Sequence, residues 1–266
     1  MKILFIADIV GGPGRKVVRE LLPGIKERND IDFCIVNGEN AAGGFGLTEE
    51  ITDELFSQGI DVITSGNHIW DRKEIASYLQ SEPRLLRPVN YPAENPGRGS
   101  GVYQAGNGVQ VGVINLQGRV FMKEIDCPFH TVIPVIHKLK EQTNLILVDF
   151  HGEATAEKVA MGWYLDGQVA ALIGTHTHVQ TADERVLPGG TGYISDAGMC
   201  GGTDGVIGIK KELAIRRFIT QTPNRFQPED KNLVMMGVIL TVDPQSCRTE
   251  KIERFQIPRS QAENNG

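Results

Sequence analysis

The chain has 266 residues, of which 40% are hydrophobic and 23% are charged, an ordinary composition for a globular enzyme. Its formal net charge of −6 argues against broad, unspecific affinity for nucleic acid, which normally requires a basic surface. The sequence contains no apolar run of the roughly 20 residues that a membrane span requires, and its four scattered cysteines favour reduced thiols over a disulfide framework. We therefore expect one cytoplasmic domain over residues 1–266, with no membrane partner.

The first predicted strand covers residues 3–7 and ends at Asp8. A carboxylate at this position either caps the next helix or binds a ligand. Three glycines follow within residues 11–14, before a helix that its apolar face predicts over residues 15–22. The glycines favour a tight strand-to-helix turn. A phosphate-binding loop is the alternative, although the GxGxxG spacing and a Walker lysine are absent from the sequence.

The second predicted strand covers residues 32–37 and is followed by Glu39 and Asn40. Thr48 is the predicted N-cap of the next helix, which ends near Gly59. Since Glu39 and Asn40 precede this helix by several residues, they are not needed as its cap. We interpret them as ligands. The alternative is that they are polar loop residues without a binding role.

The third strand is predicted to begin at Asp61 and to stop at Gly66, and it delivers Asn67 and His68 at its carboxyl end. Open α/β sheets bind their ligands at the carboxyl ends of their strands. Asp71 and Glu74 have the spacing of a capping box for the helix that follows. An Asn-His pair is common in turns, so its weight as a functional signal depends on the other strand ends.

A long connection over residues 82–108 contains four prolines and the side chains of Arg84, Arg87 and Arg98. These arginines either bind a phosphate-bearing substrate or belong to a solvated loop, and the loop is the commoner case. An alternating strand is predicted immediately afterwards, over residues 109–115.

Two nearly all-apolar strands, over residues 144–150 and 169–174, end in histidines. His151 follows the first strand, and His176 and His178 follow the second. In an extended segment, residues two apart point to opposite faces, but in a loop these two imidazoles can converge on neighbouring ions. One histidine at such a position can be a packing residue, whereas three favour a shared site.

The C-terminal part is predicted to contain a glycine-rich loop over residues 189–205, a helix over 210–220 and a hairpin that pairs 235–242 with 251–257. Cys200, within the loop, is interpreted as structural because no histidine in the sequence is evidently paired with it. A reactive thiol is the alternative. Residues 260–266 are polar and are predicted to fray.

The polar residues at these strand ends form one candidate donor set. It comprises Asp8, Glu39, Asn40, Asn67, His151, His176 and His178. This mixture of carboxylates, amides and imidazoles differs from a cysteine-rich zinc site and fits manganese, iron or zinc. Seven donors exceed what one ion needs but fit two ions bridged by a carboxylate. Such a pair binds the attacking and leaving oxygens of a phosphoryl transfer and lowers the pKa of a bridging water.

The order of these motifs resembles the calcineurin-like metallophosphoesterase superfamily, whose pattern is D-x-H, G-D-x-x-D, G-N-H-D/E, H and G-H-x-H. Two departures are visible. Val10 stands where the superfamily has its first histidine, and Glu39 replaces the bridging aspartate. With Asn40 beside the glutamate, the chain resembles the YmdB-type branch, bacterial phosphodiesterases associated with cyclic nucleotides.

The resemblance implies a four-layer α/β/β/α sandwich with mixed sheets. It also implies that one metal ion is held by Asp8, Glu39, Asn40 and His178, and a second by Glu39, Asn67, His151 and His176. The implied reaction is hydrolysis of small phosphodiesters, such as 2′,3′- or 3′,5′-cyclic nucleotides, by a hydroxide that bridges the metals. In it, His68 assists the leaving group without binding metal.

The implied cofactors are two divalent or trivalent ions per chain, with iron or manganese favoured and zinc as the alternative. A metal-binding regulatory or RNA-associated protein with weak catalysis is the alternative function, and RNA is not favoured as a partner. A protein phosphatase is a third hypothesis, which would require a broad peptide groove. The sequence is compatible with a homo-oligomer.

Overall fold

The structure, a computed structural model, describes residues 1–223 and 225–261, and within these residues the chain forms six helices and thirteen strands. The helices are α1 (Gly11–Asn29), α2 (Glu49–Ser57), α3 (Ile75–Ser81), α4 (Pro128–Lys140), α5 (Thr155–Leu165) and α6 (Lys211–Thr220). The strands are β1 (Lys2–Ile6), β2 (Asp8–Ile9), β3 (Phe33–Asn37), β4 (Val62–Thr64), β5 (Ser100–Gln104), β6 (Gln110–Gln117), β7 (Ile146–His151), β8 (Ala171–Thr175), β9 (Arg185–Val186), β10 (Gly192–Ile194), β11 (Met199–Gly202), β12 (Leu233–Asp243) and β13 (Arg248–Pro258). Along this part of the chain, no helix combines the length and apolar character that crossing a membrane requires.

The first sheet contains seven strands in the order β2-β11-β12-β1-β3-β4, with β13 paired to β12. β1 runs parallel to β3 and antiparallel to β12, so the sheet is mixed. Side chains alternate between the faces of a strand. In β1, Ile3 and Phe5 therefore face the other sheet, while Leu4 and Ile6 face the helices. Both sets are buried, which explains the continuous apolar run in the sequence.

The second sheet contains six strands in the order β5-β6-β7-β8-β10-β9. Strands β6, β7, β8 and β10 are parallel, and the edge strands β5 and β9 are antiparallel to their neighbours. The carboxyl ends of β7 and β8 are consequently adjacent, because His151 pairs with Thr175 in the register. This register brings the segments that carry the three candidate histidines together.

Buried apolar clusters separate four layers. A central cluster joins residues of both sheets, including Phe5 and Leu147. An outer cluster, which includes Val17 and Leu55, packs α1, α2 and α3 on the first sheet. Another, which includes Ile136, packs α4 and α5 on the second sheet. The predicted α/β/β/α sandwich with mixed sheets is therefore confirmed.

The glycines after β1 allow α1 to approach the first sheet closely. Helix α1 begins at Gly11 and extends to Asn29, which is longer than predicted. A Cβ at Gly14 would overlap the backbone carbonyl oxygen of Cys200 in β11. A side chain at this position would force the helix away from the sheet, so close packing accounts for the glycine.

Several local predictions hold in the structure. Thr48 is the N-cap of α2, and its hydroxyl accepts a hydrogen bond from Ile51 N at 3.3 Å. The C-terminal hairpin forms between β12 and β13. All four cysteines are free thiols.

Other local predictions are wrong. Asp71 and Glu74 form no capping box, because residues Asn67–Trp70 form a 3-10 turn and α3 begins only at Ile75, without a side-chain cap. The predicted loops contain strands β5, β10 and β11, and helices α4 and α5 were not predicted. The predicted fraying of residues 260–266 falls mostly outside the described residues, and Arg259–Gln261 form a 3-10 turn.

Candidate metal centre

The seven predicted donors converge where the carboxyl ends of strands from both sheets meet. The first sheet contributes four of them, from β2 and from the segments after β3 and β4. The second sheet contributes the three histidines, from the end of β7 and the segment after β8. These segments are distant in sequence, so only the packing of one sheet on the other brings all seven together.

The Asp8 carboxylate is the clearest sign that a cation belongs here. Its side chain is fully buried, and its Oδ1 atom has no hydrogen-bond partner among the described residues. His178 Nε2 lies 3.7 Å from this oxygen and His151 Nδ1 lies 4.0 Å from it. Burial raises the pKa of the Asp8 carboxyl well above its usual value. An unpaired buried carboxylate oxygen is costly, and a bound cation would remove that cost.

Glu39 lies at the centre of the donor set and contacts both halves of it. Its Oε1 atom lies 3.1 Å from His151 Nε2 and accepts a hydrogen bond from Asn40 Nδ2 at 3.0 Å. Its Oε2 atom accepts the backbone N–H of His68 at 3.1 Å. Burial opposes ionisation of this carboxyl, but the charge and hydrogen bond of His151 outweigh burial and hold the Glu39 pKa below its usual range. Its Oε1 atom thus contacts members of both groups of donors, Asn40 and His151.

The two asparagines flank Glu39 on opposite sides. Asn40 Nδ2 lies 3.2 Å from His178 Nε2, and Asn67 Oδ1 lies 3.2 Å from His151 Nε2. Each amide therefore accompanies a different histidine.

Each histidine uses one ring nitrogen for an outer contact and directs the other into the site. The outer partners are Thr175 Oγ1 for His151 Nδ1 at 2.9 Å, Glu153 Oε2 for His176 Nε2 at 3.0 Å and the Ile207 carbonyl for His178 Nδ1 at 3.0 Å. Such outer contacts set the tautomer and the ring orientation of metal-binding histidines. Inside the site, His176 Nδ1 and His151 Nε2 lie 3.0 Å apart.

The protonation states of the histidines differ. Burial and the positive charge of His151 lower the pKa of His176 to about 3, and burial lowers that of His178. Both imidazoles are therefore neutral at pH 7, as ligands must be. Burial disfavours the charged form of His151 too, but the Glu39 carboxylate outweighs it and raises the His151 pKa to about 9.

A chain of buried hydrogen bonds fixes the tautomer of His151. The Thr175 hydroxyl donates to Asp149 Oδ1 at 2.7 Å, so its oxygen accepts the proton of His151 Nδ1. Asp149 also accepts from Asn37 Nδ2 at 3.0 Å. This leaves Nε2 as the atom of the His151 ring that can bind a metal. The predicted site residues did not include Asn37, Asp149 and Thr175, although polar residues in otherwise apolar strands were a visible signal.

The segment that carries His176 and His178 has an unusual backbone. Both residues have positive φ angles, 101° and 63°. Strained non-glycine residues persist only where surrounding contacts hold them, and they cluster at functional sites. Here Asp196 accepts hydrogen bonds from the backbone N–H and the hydroxyl of Thr177. The buried Lys158 ammonium donates to the Asp196 carboxylate and to the Thr175 carbonyl, each at 2.7 Å.

His68 borders the donor set without joining it. Its Nδ1 atom pairs with Asp71 Oδ2 at 2.8 Å, and its side chain is 28% exposed at the cleft. Its ring packs edge-to-face on Phe45, with 4.9 Å between centroids. Asp71 is therefore a partner of His68 and not a helix cap, which sequence spacing alone did not reveal.

The remaining sequence candidates have ordinary structural partners. Arg84 pairs with Glu82, and the buried Arg87 guanidinium donates to carbonyl oxygens of its own connection, at Pro88, Asn95 and Pro96. Burial raises the pKa of Cys200 to about 12, so its thiol stays protonated and unreactive at neutral pH.

The donor set fits divalent or trivalent first-row metals. It combines two carboxylates, two amides and three imidazoles, and the Glu39, His151 and His176 donor atoms lie within 4.8 Å of one another. Gly66 is required beside them, because a Cβ there would overlap both the His151 ring and Glu39. Oxygen and nitrogen donors of this kind suit manganese, iron and zinc.

Comparisons with known proteins identify relatives over nearly the whole chain. The model of the YmdB-like protein family matches residues 4–255. A Bacillus subtilis protein named 2′,3′-cyclic-nucleotide 2′-phosphodiesterase is 48% identical over 257 residues, covering 97% of each chain. A Mycoplasma genitalium protein named putative phosphatase/phosphodiesterase is 35% identical, over 97% of this chain and 93% of its own.

Solved structures show the same fold. A hypothetical protein from Thermus thermophilus superposes with a TM-score of 0.90 and 37% identity, covering 97% of this chain and 99% of that one. A protein described as a novel phosphatase from Mycoplasma pneumoniae superposes with a TM-score of 0.89 and 34% identity, covering 97% and 93%.

Proposed function

Because the chain belongs to the YmdB-like protein family, we propose that it is a metal-dependent phosphodiesterase that acts on 2′,3′-cyclic nucleotides. The observation that carries this proposal is the cluster of Glu39, His151 and His176 donor atoms beside the buried Asp8 Oδ1, which has no hydrogen-bond partner among the described residues. The name of the Bacillus subtilis relative supports the substrate class. Hydrolysis of 3′,5′-cyclic nucleotides is a further activity to test.

Two metal ions would be held by the two halves of the donor set. Asp8, Glu39, Asn40 and His178 would hold one ion, and Glu39, Asn67, His151 and His176 would hold the other. Iron or manganese is favoured by these donors, with zinc as the alternative. When bound, the ions would supply positive charge to the phosphoryl oxygens and lower the pKa of a water between them.

The chain's own residues orient the reaction. His68 borders the cleft, and its Nδ1 contact with Asp71 directs Nε2 away from the turn. In this position His68 would give a proton to the departing ribose 2′-oxygen, which leaves as the cyclic ester opens. Glu153 would keep His176 in the tautomer whose Nδ1 faces the site, through its contact with Nε2.

The test is hydrolysis by the purified protein after chelation and readdition of Mn²⁺ or Fe²⁺. We expect no turnover of 2′,3′-cyclic AMP without metal, and restored formation of 3′-AMP with it. His68→Ala should lower turnover by roughly 10²- to 10⁴-fold, the usual contribution of an acid–base group. Its metal content should stay unchanged, because His68 is not one of the donors.

Glu74→Gln is the control for His68→Ala and should keep wild-type turnover, because it changes a nearby exposed side chain outside the donor set. Full activity after complete metal removal would contradict the metal-dependent mechanism. Stable binding of two ions without turnover of any phosphodiester would instead favour the regulatory or RNA-associated alternative. Much faster cleavage of structured RNA would contradict the preference for small substrates.

A further inference from the structure

The cleft beside the donor set has two chemically different sides. Its volume is about 260 Å³. One side consists of donor residues and His68. The other side consists of Val10, Phe45, Ile207, Ile209 and Phe226, which we call the apolar wall.

The side chains of the apolar wall are held in place by contacts with one another and with neighbouring residues. Val10, Ile209 and Phe226 pack with Met199 in a small cluster separate from the three larger cores. Phe45 and Phe226 are stacked, with 6.1 Å between ring centroids and 28° between planes. The backbone that follows Phe226 is held by hydrogen bonds, from Lys210 N to Gln227 O and from Glu229 N to Gly208 O. The wall therefore has a defined position relative to the metal centre.

Parts of the apolar wall remain open to solvent. Ile207 is 48% exposed, and both phenylalanines are only half-buried. Contiguous exposed apolar groups rimmed by polar residues are typical of ligand-binding grooves. Val10, at the position where the superfamily has a histidine, lines the cleft but is itself buried.

We propose that the apolar wall is a nucleobase subsite, an inference that rests on the phosphodiesterase function proposed above. A cyclic nucleotide whose phosphate lies at the metal centre carries its base on the adjoining ribose, within reach of the wall. Aromatic and aliphatic side chains bind any base through its apolar face. The polar residues that line the described cleft, such as Glu153 and Thr177, belong to the donor side. The wall therefore tolerates all four bases and favours the larger purines.

The test compares a substrate that has a base with one that lacks it. The pair is 2′,3′-cyclic AMP and methyl riboside 2,3-cyclic phosphate. In Phe226→Ala, the ratio of kcat/KM for the nucleotide to that for the riboside should fall about tenfold, mainly through KM. Phe218→Ala is the matched control, because Phe218 is 73% exposed on α6 and does not line the cleft. This control should keep the wild-type ratio.

Calorimetric binding of 3′-AMP to the metal-loaded protein gives a readout independent of turnover. Phe226→Ala should bind 3′-AMP about tenfold more weakly than the wild type, and Phe226→Leu should fall between them. If kcat/KM of Phe226→Ala fell equally for the nucleotide and the riboside, or if this variant kept its affinity for 3′-AMP, the proposed nucleobase subsite would be overturned. If the wild type hydrolyses neither substrate, the proposed function fails, and the 3′-AMP measurement still decides the subsite.

Discussion

The buried ion pair between His151 and Glu39 is the contact that a metal ion has to break. His151 Nε2 is both the atom paired with Glu39 and the atom directed at the site. Because the pKa of His151 is raised to about 9, both nitrogens of this ring carry a proton at neutral pH in the metal-free protein. A ligand must offer a lone pair, so binding requires that the proton leave.

We predict that metal binding at pH 7 releases at least one proton per chain. The His151 ring loses this proton only as the pH rises through its pKa of about 9. Metal affinity should therefore rise about tenfold per pH unit between pH 6 and 8, and level off above pH 9. Calorimetric titration with Mn²⁺ in buffers of different ionisation enthalpy measures the release. Binding with no proton release at pH 7 would show that His151 is neutral or is not a ligand.

The segment after β8 depends on contacts from two other elements. Lys158 of α5 and Asp196, which follows β10, form a buried ion pair with 2.7 Å between Nζ and Oδ2. The same two side chains bind the backbone at Thr175 and Thr177. They therefore hold the positive-φ conformations that direct His176 and His178 into the site.

Lys158→Met should destabilise the protein by about 3–5 kcal/mol, because it leaves the Asp196 carboxylate buried without its partner. Urea unfolding measures this loss, and metal affinity should fall as well, since the histidine segment loses its anchor. Lys138→Met is the matched control on the exposed face of α4 and should change stability by less than about 0.5 kcal/mol. A Lys158→Met protein with wild-type stability and metal affinity would show that the segment holds its conformation without this ion pair.

At the scale of the whole molecule, the donor set connects the two sheets. Asp8, Glu39, Asn40 and Asn67 belong to the first sheet or the segments after its strands, and the histidines belong to the second. Unfolding separates these groups, so metal binding stabilises only the folded arrangement. Metal ions bound by these groups would therefore stabilise the folded chain.

Chelation should lower the unfolding temperature by roughly 5–10 °C. A free metal concentration about 100 times the Kd adds about 2.7 kcal/mol of stability, and 1 kcal/mol corresponds to about 2–4 °C in a chain of this size. Differential scanning calorimetry with and without chelator measures the shift. Glu39→Gln, which weakens the ligand that we propose to be shared by both ions, should show a much smaller shift of the unfolding temperature on chelation. An equal shift in that variant would contradict the role of Glu39.

The sequence by itself determined the continuous apolar strands and the polar residues that follow them, because both are local properties. Strands buried on two faces have continuous apolar runs, and each donor follows such a run directly, as His151 follows β7. Parallel strands of one sheet have their carboxyl ends at the same edge, so the proximity of the donors within each sheet could be predicted from their positions, whereas the packing of the two sheets brings both groups together. Helices α4 and α5 escaped prediction because each contains a mixture of apolar, polar and charged residues without an evident N-terminal cap.

Only the tertiary structure decided which residues support the donors. Lys158 and Asp196, or Phe45 and Phe226, are distant in sequence, and no local pattern relates them. Asp71 has the right spacing for a helix cap, yet a 3-10 turn places it against His68 instead. These contacts form because packing two sheets face to face fixes the relative positions of loops that the chain connects only through long intervening segments.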